Sequence, residues 1–276
     1  MSDARPIGVF DSGIGGLTVL RALRARLPQE NFLYLGDTAR LPYGTKSAET
    51  VTAYALQAAK LLVRWGGVKM VVIACNTASS VALGPLAEGL APVPLIGVVE
   101  PGARAGVSAT RNGHIAVIAT EGTVRGGAYR RAIHAIAPEV TVSQTACTLF
   151  VALAEEGWID GPIVENAAQR YLAPLFSEST ADAPRPDTLV LGCTHFPVLA
   201  PALANLLGPQ VRLVDSAQTT ADAVVLALRD QGLLIAGAAP GRVNFMVTDS
   251  PERFVRVGPV FFGAPITSDT VETIDL

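Results

Sequence analysis

The sequence predicts an α/β protein built around parallel sheets. Short apolar runs of about five residues recur along the 276-residue chain, the pattern of strands that are covered on both faces. Helix-length stretches separate these runs, an alternation typical of parallel strands joined by right-handed crossovers. Half of the residues are apolar and only 16% are charged, so the chain can bury a large core. Its length fits one large domain or two small ones.

The predicted elements alternate along the whole chain. The predicted strands are Ile7–Phe10, Phe32–Leu35, Met70–Ala74, Leu95–Val99, Ile115–Ala119, Val140–Ser143, Thr188–Leu191, Val211–Val214 and Val243–Val247. The predicted helices are Gly16–Leu27, Ala48–Trp65, Ala78–Gly89, Tyr129–Ala137, Leu149–Glu156, Ile163–Phe176, Val198–Leu207 and Thr219–Asp230.

Charge and cysteine content exclude several functional classes. The net charge is -3, and neither sign is clustered, so the basic face that nucleic-acid binding requires is missing. No apolar run approaches the roughly 20 residues that span a bilayer, and the polar segment Met1–Pro6 lacks the organisation of a signal peptide. Three cysteines are too few for a disulfide framework. We expect a cytoplasmic protein without nucleic-acid or membrane partners.

The first predicted strand ends in a Gly-rich turn, Asp11-Ser-Gly-Ile-Gly-Gly16, which leads into a predicted helix. Such a turn presents backbone N–H groups at a helix N-terminus, where a carboxylate or phosphate can bind. It is not a dinucleotide fingerprint, because Thr18 occupies the third glycine position. The alternative interpretation is a tight turn in which Asp11 or Ser12 caps the helix.

Three later segments have simple structural interpretations when taken alone. Leu41–Lys46 is a Pro/Gly loop before a helix and is typical of a turn. Thr120 and Thr123 follow a predicted strand, where a hydroxyl commonly caps the next helix. Glu155 and Glu156 end an apolar helix and are interpreted as solvated residues.

Two cysteines occur in matching contexts, each just after a buried strand and before a predicted helix. The two segments are Cys75-Asn-Thr77 and Cys193-Thr-His195. A cysteine at a helix start is exposed to the helix dipole, which favours the thiolate. Nearby Asn and Thr side chains can hold an α-carboxylate, and His195 can pass a proton to or from a thiol. Cys147 lacks this context and is interpreted as a core residue.

The matching contexts favour one cleft with two sulfur atoms. Ligands bind beyond the carboxyl ends of parallel strands, so two facing domains can place Cys75 and Cys193 on opposite walls. Inverting an amino acid's Cα needs a base on one face and an acid on the other. Two sulfurs near Cα would lie roughly 6–7 Å apart, too far for a disulfide. Pyridoxal phosphate needs a lysine, and only Lys46 of the three lysines lies in a suitable loop; this favours a site without a cofactor.

Taken together, the motifs resemble the glutamate racemase family of bacterial cell-wall synthesis over roughly residues 6 to 265. Four matching segments occur in the order and spacing of that family: Phe10–Val19, Leu41–Gly44, Ile73–Ala78 and Leu191–Pro197. Two less distinctive matches are Ala119–Thr123 and Val214–Ser216.

The resemblance implies interconversion of L- and D-glutamate without a cofactor or metal, supplying D-glutamate for peptidoglycan. It implies that Cys75 and Cys193 are the two bases, assisted by Asp11 and His195 respectively, and that Glu155 is the family's helix-borne glutamate near that histidine. The residues that it implies in substrate binding are Asp11, Ser12, Tyr43, Gly44, Asn76, Thr77, Thr120, Thr123, Thr194 and His195.

The resemblance also implies two α/β domains that face each other across the cleft. The first domain is discontinuous, comprising residues 1–98 and 211–276, and the second comprises residues 99–210. A homodimer is compatible with this organisation.

The residue pattern leaves other functions open. Racemisation of aspartate or a related amino acid would use the same carboxylate-binding logic. Cys75, Cys193 and His195 also form a Cys₂His set of the kind that holds catalytic zinc. A two-domain binding module without chemistry is a third alternative, which the missing signal sequence disfavours.

Overall fold

The computed structural model describes residues 3–176, 184–237 and 239–276; residues 1 and 2 of the polar segment Met1–Pro6 lie outside them. The strands are β1 (Ile7–Asp11), β2 (Phe32–Gly36), β3 (Met70–Ile73), β4 (Leu95–Gly97), β5 (His114–Ala119), β6 (Thr141–Ala146), β7 (Thr188–Gly192), β8 (Arg212–Asp215), β9 (Val243–Val247) and β10 (Val271–Thr273). The helices are α1 (Leu17–Arg26), α2 (Ala48–Arg64), α3 (Asn76–Val81), α4 (Leu83–Leu90), α5 (Val99–Ala109), α6 (Glu121–Gly126), α7 (Ala128–Ile136), α8 (Leu149–Glu155), α9 (Gly161–Phe176), α10 (Ala200–Leu207), α11 (Ser216–Asp230) and α12 (Pro251–Phe262).

The strands form two sheets. One has six strands in the order β10-β9-β2-β1-β3-β4, and the other has four in the order β6-β5-β7-β8. Every strand pair is parallel. Helices cover both faces of each sheet, which explains why β1, β2, β3 and β7 are buried along their whole length. The predicted α/β class with parallel sheets is confirmed.

The six-stranded sheet takes strands from both ends of the chain. The chain passes through α5 into the four-stranded sheet and returns through α11. The prediction assigned residues 211–276 to the first domain, but β8 pairs with β7, with Asp215 opposite Leu191. Residues of β8 therefore belong to the four-stranded sheet, and the bounds of the two domains stay a prediction.

Some predicted elements are wrong in type or extent. The predicted strand Leu95–Val99 stops at Gly97, and Val99 already begins α5. The predicted helix Ala78–Gly89 is two helices that meet at Ala82. Pro85 explains the break, because it has no N–H to continue the hydrogen-bond ladder of α3.

Helices α5 and α12 are absent from the prediction because glycine and proline interrupt their sequences. In the fold these glycines allow close packing. A Cβ at Gly106 would lie 3.0 Å from Val190 Cγ2, and one at Gly258 would lie 2.7 Å from Ile266 Cδ1. Tertiary contacts thus outweigh the low helix propensity of these segments. The short elements α6 and β10 are also absent from the prediction.

The described helices include none that is both long and apolar enough to cross a membrane.

Candidate active site

A small cavity of about 40 Å³ lies between the two sheets, at the carboxyl ends of β1, β3, β5 and β7. This is where ligands bind in parallel α/β sheets. Both cysteines of interest line it, Cys75 beyond β3 and Cys193 beyond β7. The predicted site residues that line the cavity are Ser12, Tyr43, Gly44, Cys75, Asn76, Thr77, Thr120, Glu155, Cys193, Thr194 and His195.

Two predicted site residues lie behind the cavity wall. Asp11 is fully buried at the end of β1, and its Oδ2 accepts a hydrogen bond from the Gly13 amide at 2.9 Å. Thr123 is buried and is within hydrogen-bond distance of the Thr77 and Thr120 hydroxyls, at 3.3 and 3.1 Å. The structure therefore brings the whole predicted set together at one place.

Cys75 occupies the N-cap position of α3. Its Sγ accepts a hydrogen bond from the Ala78 amide at 3.5 Å and lies 3.4 Å from Ser12 Oγ. Burial, followed by the nearby Asp11 carboxylate, raises the pKa of the Cys75 thiol to about 12, although the hydrogen bonds that Cys75 forms with Ser12 and Ala78 oppose the rise. In the unliganded site Cys75 is thus a thiol at neutral pH.

Cys193 has a different neighbourhood, with a histidine and a carboxylate behind it. His195 Nδ1 lies 3.8 Å from Cys193 Sγ, and His195 Nε2 lies 3.0 Å from Glu155 Oε1. Burial lowers the pKa of His195, but its hydrogen bonds to Cys193 and Glu155 outweigh burial and raise that pKa to about 10. The imidazolium therefore lies beside Cys193, an arrangement that stabilises a thiolate.

Glu155 is anchored by a residue of a helix that packs on the six-stranded sheet. Arg253 of α12 donates to Glu155 Oε2 at 3.0 Å. Burial raises the pKa of Glu155, but His195 and Arg253 outweigh burial and lower the pKa below its usual value. Glu155 is therefore a partly buried, paired carboxylate and not the solvated helix end that the pattern suggests when taken alone.

Two buried polar atoms at the site lack hydrogen-bond partners within the described residues: Asp11 Oδ1 and Asn76 Nδ2. Burial raises the pKa of Asp11, an effect that the charge of His195 and the amides of the Gly-rich turn partly offset. Unpaired buried groups are costly. An acceptor and a donor left unpaired at one cleft suit the ammonium and carboxylate groups of an amino acid.

The Gly-rich turn brings the two halves into close contact. A Cβ at Gly15 would lie 2.4 Å from His195 Nδ1, so only glycine fits there. Thr18 Oγ1 donates to the backbone oxygen of Thr194 at 3.0 Å, which joins α1 to the segment that carries Cys193. Across the cleft, a Cβ at Gly44 would meet Thr120 Cβ at 2.6 Å.

The loop before α2 is anchored by its tyrosine. Tyr43 is buried, and its hydroxyl donates to Asp37 Oδ2. Arg40 donates to the same carboxylate oxygen at 2.6 Å. Tyr43 thus lines the cavity with a hydroxyl that is already occupied, and the adjoining Gly44 brings backbone to the cleft.

Sequence reasoning missed several residues at or near the cavity. Gly13, Leu41, Pro42 and Val151 line it, and only the resemblance in the neighbouring motifs pointed to these segments.

Three more residues touch the lining from behind. Arg253 contacts Glu155, the Phe261 ring packs edge-on against His195 with centroids 5.3 Å apart, and Tyr129 donates to Asn76 Oδ1 at 2.7 Å. No periodicity or spacing in the sequence indicates these contacts.

Metal ligation finds no geometric support here. Across the described ranges, no three His, Cys, Asp or Glu side chains are grouped so that they could hold an ion. Cys75, Cys193 and His195 do not form the Cys₂His set that the zinc alternative requires.

The profile of Asp/Glu/hydantoin racemases matches residues 17–224, which include both cysteines. The chain belongs to this family.

The chain is similar to relatives within this family over nearly its whole length. The chain is 48% identical to the glutamate racemase of Geobacter metallireducens, covering 95% of this chain and 94% of that protein. The crystal structure of the Francisella tularensis glutamate racemase in complex with D-glutamate matches with a TM-score of 0.89, at 37% identity, over 99% of this chain and 98% of the other. The Thermus thermophilus glutamate racemase in complex with β-chloro-D-alanine matches with a TM-score of 0.86, at 44% identity, over 99% and 98%.

Proposed function

We propose that this racemase-family chain interconverts L- and D-glutamate without an organic cofactor, with Cys75 and Cys193 as its two bases. The observation that carries the proposal is that the two cysteines line one cavity from different sheets, each at the carboxyl end of a strand. The full-length similarity to a glutamate racemase supports glutamate as the substrate.

The reaction moves one proton off Cα and another onto it. A thiolate on one side takes the Cα proton and becomes a thiol, which leaves a carbanion whose charge spreads into the adjacent carboxylate. The thiol on the other side gives its proton to the opposite face of Cα and becomes the thiolate. The configuration is inverted, and the two sulfurs have exchanged protonation states.

The electrostatics of the unliganded site support one thiolate and one thiol. The His195 imidazolium lies 3.8 Å from Cys193 Sγ and favours negative charge there. At the other wall, burial and Asp11 raise the pKa of Cys75 to about 12, which favours its protonated form. For the enantiomer whose Cα–H faces Cys193, Cys193 is the base and Cys75 the acid; for the other enantiomer the two roles exchange.

The unpaired polar atoms supply the contacts that an amino acid needs. Asn76 lines the cavity, and its unpaired Nδ2 donates to the carboxylate on Cα, while the unpaired Asp11 Oδ1 lies behind the same wall and favours the positive charge of the substrate ammonium. That donor also stabilises the carbanion, because negative charge grows on the carboxylate as the proton leaves. Ser12, Thr77 and Thr194 offer further hydroxyls from the two walls of the cavity. The D-glutamate formed supplies peptidoglycan synthesis.

Circular dichroism tests the proposal directly. The purified chain, without added pyridoxal phosphate or metal, is given L-glutamate or L-aspartate, and the loss of optical activity is followed over time. We expect glutamate to racemise and aspartate to react at least 100-fold more slowly. Activity on aspartate alone, or activity that a chelator abolishes, would contradict the proposal.

A further inference from the structure

Tyr129 is a buried residue of α7 that the reaction described above does not use. It lies on the side of the four-stranded sheet, yet its hydroxyl donates to Asn76 Oδ1 at 2.7 Å across the cleft. Asn76 begins α3 and directly follows Cys75. The hydrogen bond therefore links the second half of the molecule to the wall that carries the first cysteine.

The surroundings hold the Tyr129 ring in one place. A Cβ at Gly102 would lie 3.2 Å from Tyr129 Cε1, and one at Gly192 would lie 3.0 Å from Cε2. Such distances leave no space for a side chain on either flank. The two glycines, from α5 and the end of β7, thus accommodate the ring and fix where its hydroxyl points.

The Tyr129 hydroxyl keeps its proton at neutral pH and can act as a donor. Burial raises the pKa of Tyr129 above its usual range, and a hydrogen bond from Ser216 opposes that rise only in part. The Tyr129 proton is therefore available for Asn76 Oδ1.

A donor at Asn76 Oδ1 decides which way the carboxamide faces. The two ends of an asparagine side chain are nearly equal in size and opposite in hydrogen-bonding character. Asn76 Nδ2 is buried and has no partner among the described residues, while Asn76 itself lines the cavity. If the amide were reversed, its oxygen would face the substrate carboxylate, and two acceptors would oppose each other.

We propose that Tyr129 is a positioning residue that fixes the Asn76 carboxamide so that its Nδ2 donates to the carboxylate on Cα of the substrate. This inference rests on the proposed glutamate racemisation. Tyr129 itself does not touch the substrate. Tyr129 holds the Asn76 carboxamide in this one orientation before the substrate binds.

A double-mutant cycle tests the inference. The kcat/KM for L-glutamate is measured for wild type, Y129F, N76A and the double variant, and thermal melts verify folding. Y129F should lower kcat/KM about ten-fold in the wild-type background, because one hydrogen bond is lost and the amide can reverse. In the N76A background the same change should lower kcat/KM less than two-fold, because the carboxamide that Tyr129 orients is already absent.

The control and the contrary outcomes separate this role from a structural one. Y171F removes a hydroxyl that accepts from the Leu149 amide at 3.2 Å, away from Asn76, and should leave kcat/KM within two-fold of wild type. Equal losses from Y129F in both backgrounds, or no loss at all, would overturn the role of Tyr129. A wild type that does not racemise glutamate would overturn the proposed function, and this inference with it.

If Y129F does not fold, NMR of the ¹⁵N-labelled wild type replaces it. The Asn76 side-chain amide signals, assigned by their absence in N76A, should shift when D-glutamate is added. Unchanged signals under saturating D-glutamate would overturn the inference.

Discussion

At the residue scale, the proposed reaction depends on the difference between the two cysteine environments. Cys75 has a carboxylate nearby, which disfavours its thiolate, whereas Cys193 has an imidazolium in contact. The unequal surroundings favour a state with one thiol and one thiolate. Each turnover exchanges which of the two sulfurs carries a proton.

Replacing either cysteine of the pair should end racemisation while the fold survives. C75A and C193A each remove one of two obligatory proton-transfer groups, so we expect at least a 100-fold loss of turnover. C147A is the matched control, because Cys147 is buried in the core of the four-stranded sheet and does not line the cavity. Its turnover should stay within a few-fold of wild type. Glutamate racemisation by circular dichroism measures all three, and substantial turnover in C75A or C193A would contradict the assignment.

The stability conferred by His195 should depend on pH in a defined direction. Folding raises the pKa of His195 from 6.5 to about 10. A raised pKa stabilises the fold fully below the unfolded value, and the contribution is lost as pH rises through the folded value. The free energy of unfolding of wild type relative to H195N should therefore be largest below pH 6.5 and shrink towards pH 10. Urea denaturation at several pH values measures this difference; a constant difference would contradict the charged state of the ring.

At the scale of elements, the sequence predicts the site-bearing strands well and two helices poorly. β1, β3, β5 and β7 are continuous apolar runs that end in turns with polar side chains, and burial on both faces leaves such runs few alternatives. Helices α5 and α12 escape prediction because their glycines and prolines serve contacts with distant parts of the chain. The residues that support the cavity lining cannot be predicted for the same reason. Neither composition nor spacing connects Tyr129 with Asn76, for example.

Helix α12 matters because it supports the histidine from behind. Arg253 donates to Glu155 Oε2, and Phe261 packs against the His195 ring. R253M should lower kcat/KM for glutamate about ten-fold, because Glu155 is no longer held against His195, and R253K should recover part of the loss. R64M, at the exposed end of α2 and away from Glu155, is the control and should stay within two-fold. Equal effects of R253M and R64M would show that α12 does not position Glu155.

At the scale of the whole molecule, side-chain contacts join the two sheets at the cleft. Other interactions, far from the cleft, stabilise the fold independently of these contacts. The Lys69 and Glu30 side chains form a fully buried ion pair at 2.6 Å. Lys69 Nζ also donates to the backbone oxygens of Asp3 and Leu233, which ties the N-terminal segment to the connection after α11. This cluster lies at the amino ends of the strands, opposite the active site.

Breaking the buried pair should cost stability and leave the chemistry intact. K69M leaves Glu30 as a buried charge without its partner, which typically costs about 3–5 kcal/mol. R26A breaks the exposed Arg26–Asp222 pair and should cost about 0–1 kcal/mol. Urea denaturation measures both variants, and turnover per folded molecule should match wild type in each. A loss in K69M no greater than that in R26A would contradict a stabilising role for the buried pair.

The cleft itself is nearly closed in this structure. Its cavity of about 40 Å³ is too small for an amino acid, so we expect the two halves to part before glutamate binds. Contacts that cross the cleft, such as those from Thr18 to Thr194 and from Arg253 to Glu155, would then re-form around the substrate. Closure would exclude water from the carbanion, which water would otherwise protonate on either face.

Deuterium incorporation during the first turnovers in D₂O tests most directly whether two sulfurs serve opposite faces of Cα. L-Glutamate is incubated with the protein, the reaction is stopped at a few per cent conversion, and the enantiomers are separated and analysed by mass spectrometry. We predict that the D-glutamate carries deuterium at Cα, while the remaining L-glutamate retains its hydrogen. Product that retains the original hydrogen, or deuterium appearing equally in residual substrate and product, would contradict a separate base on each face.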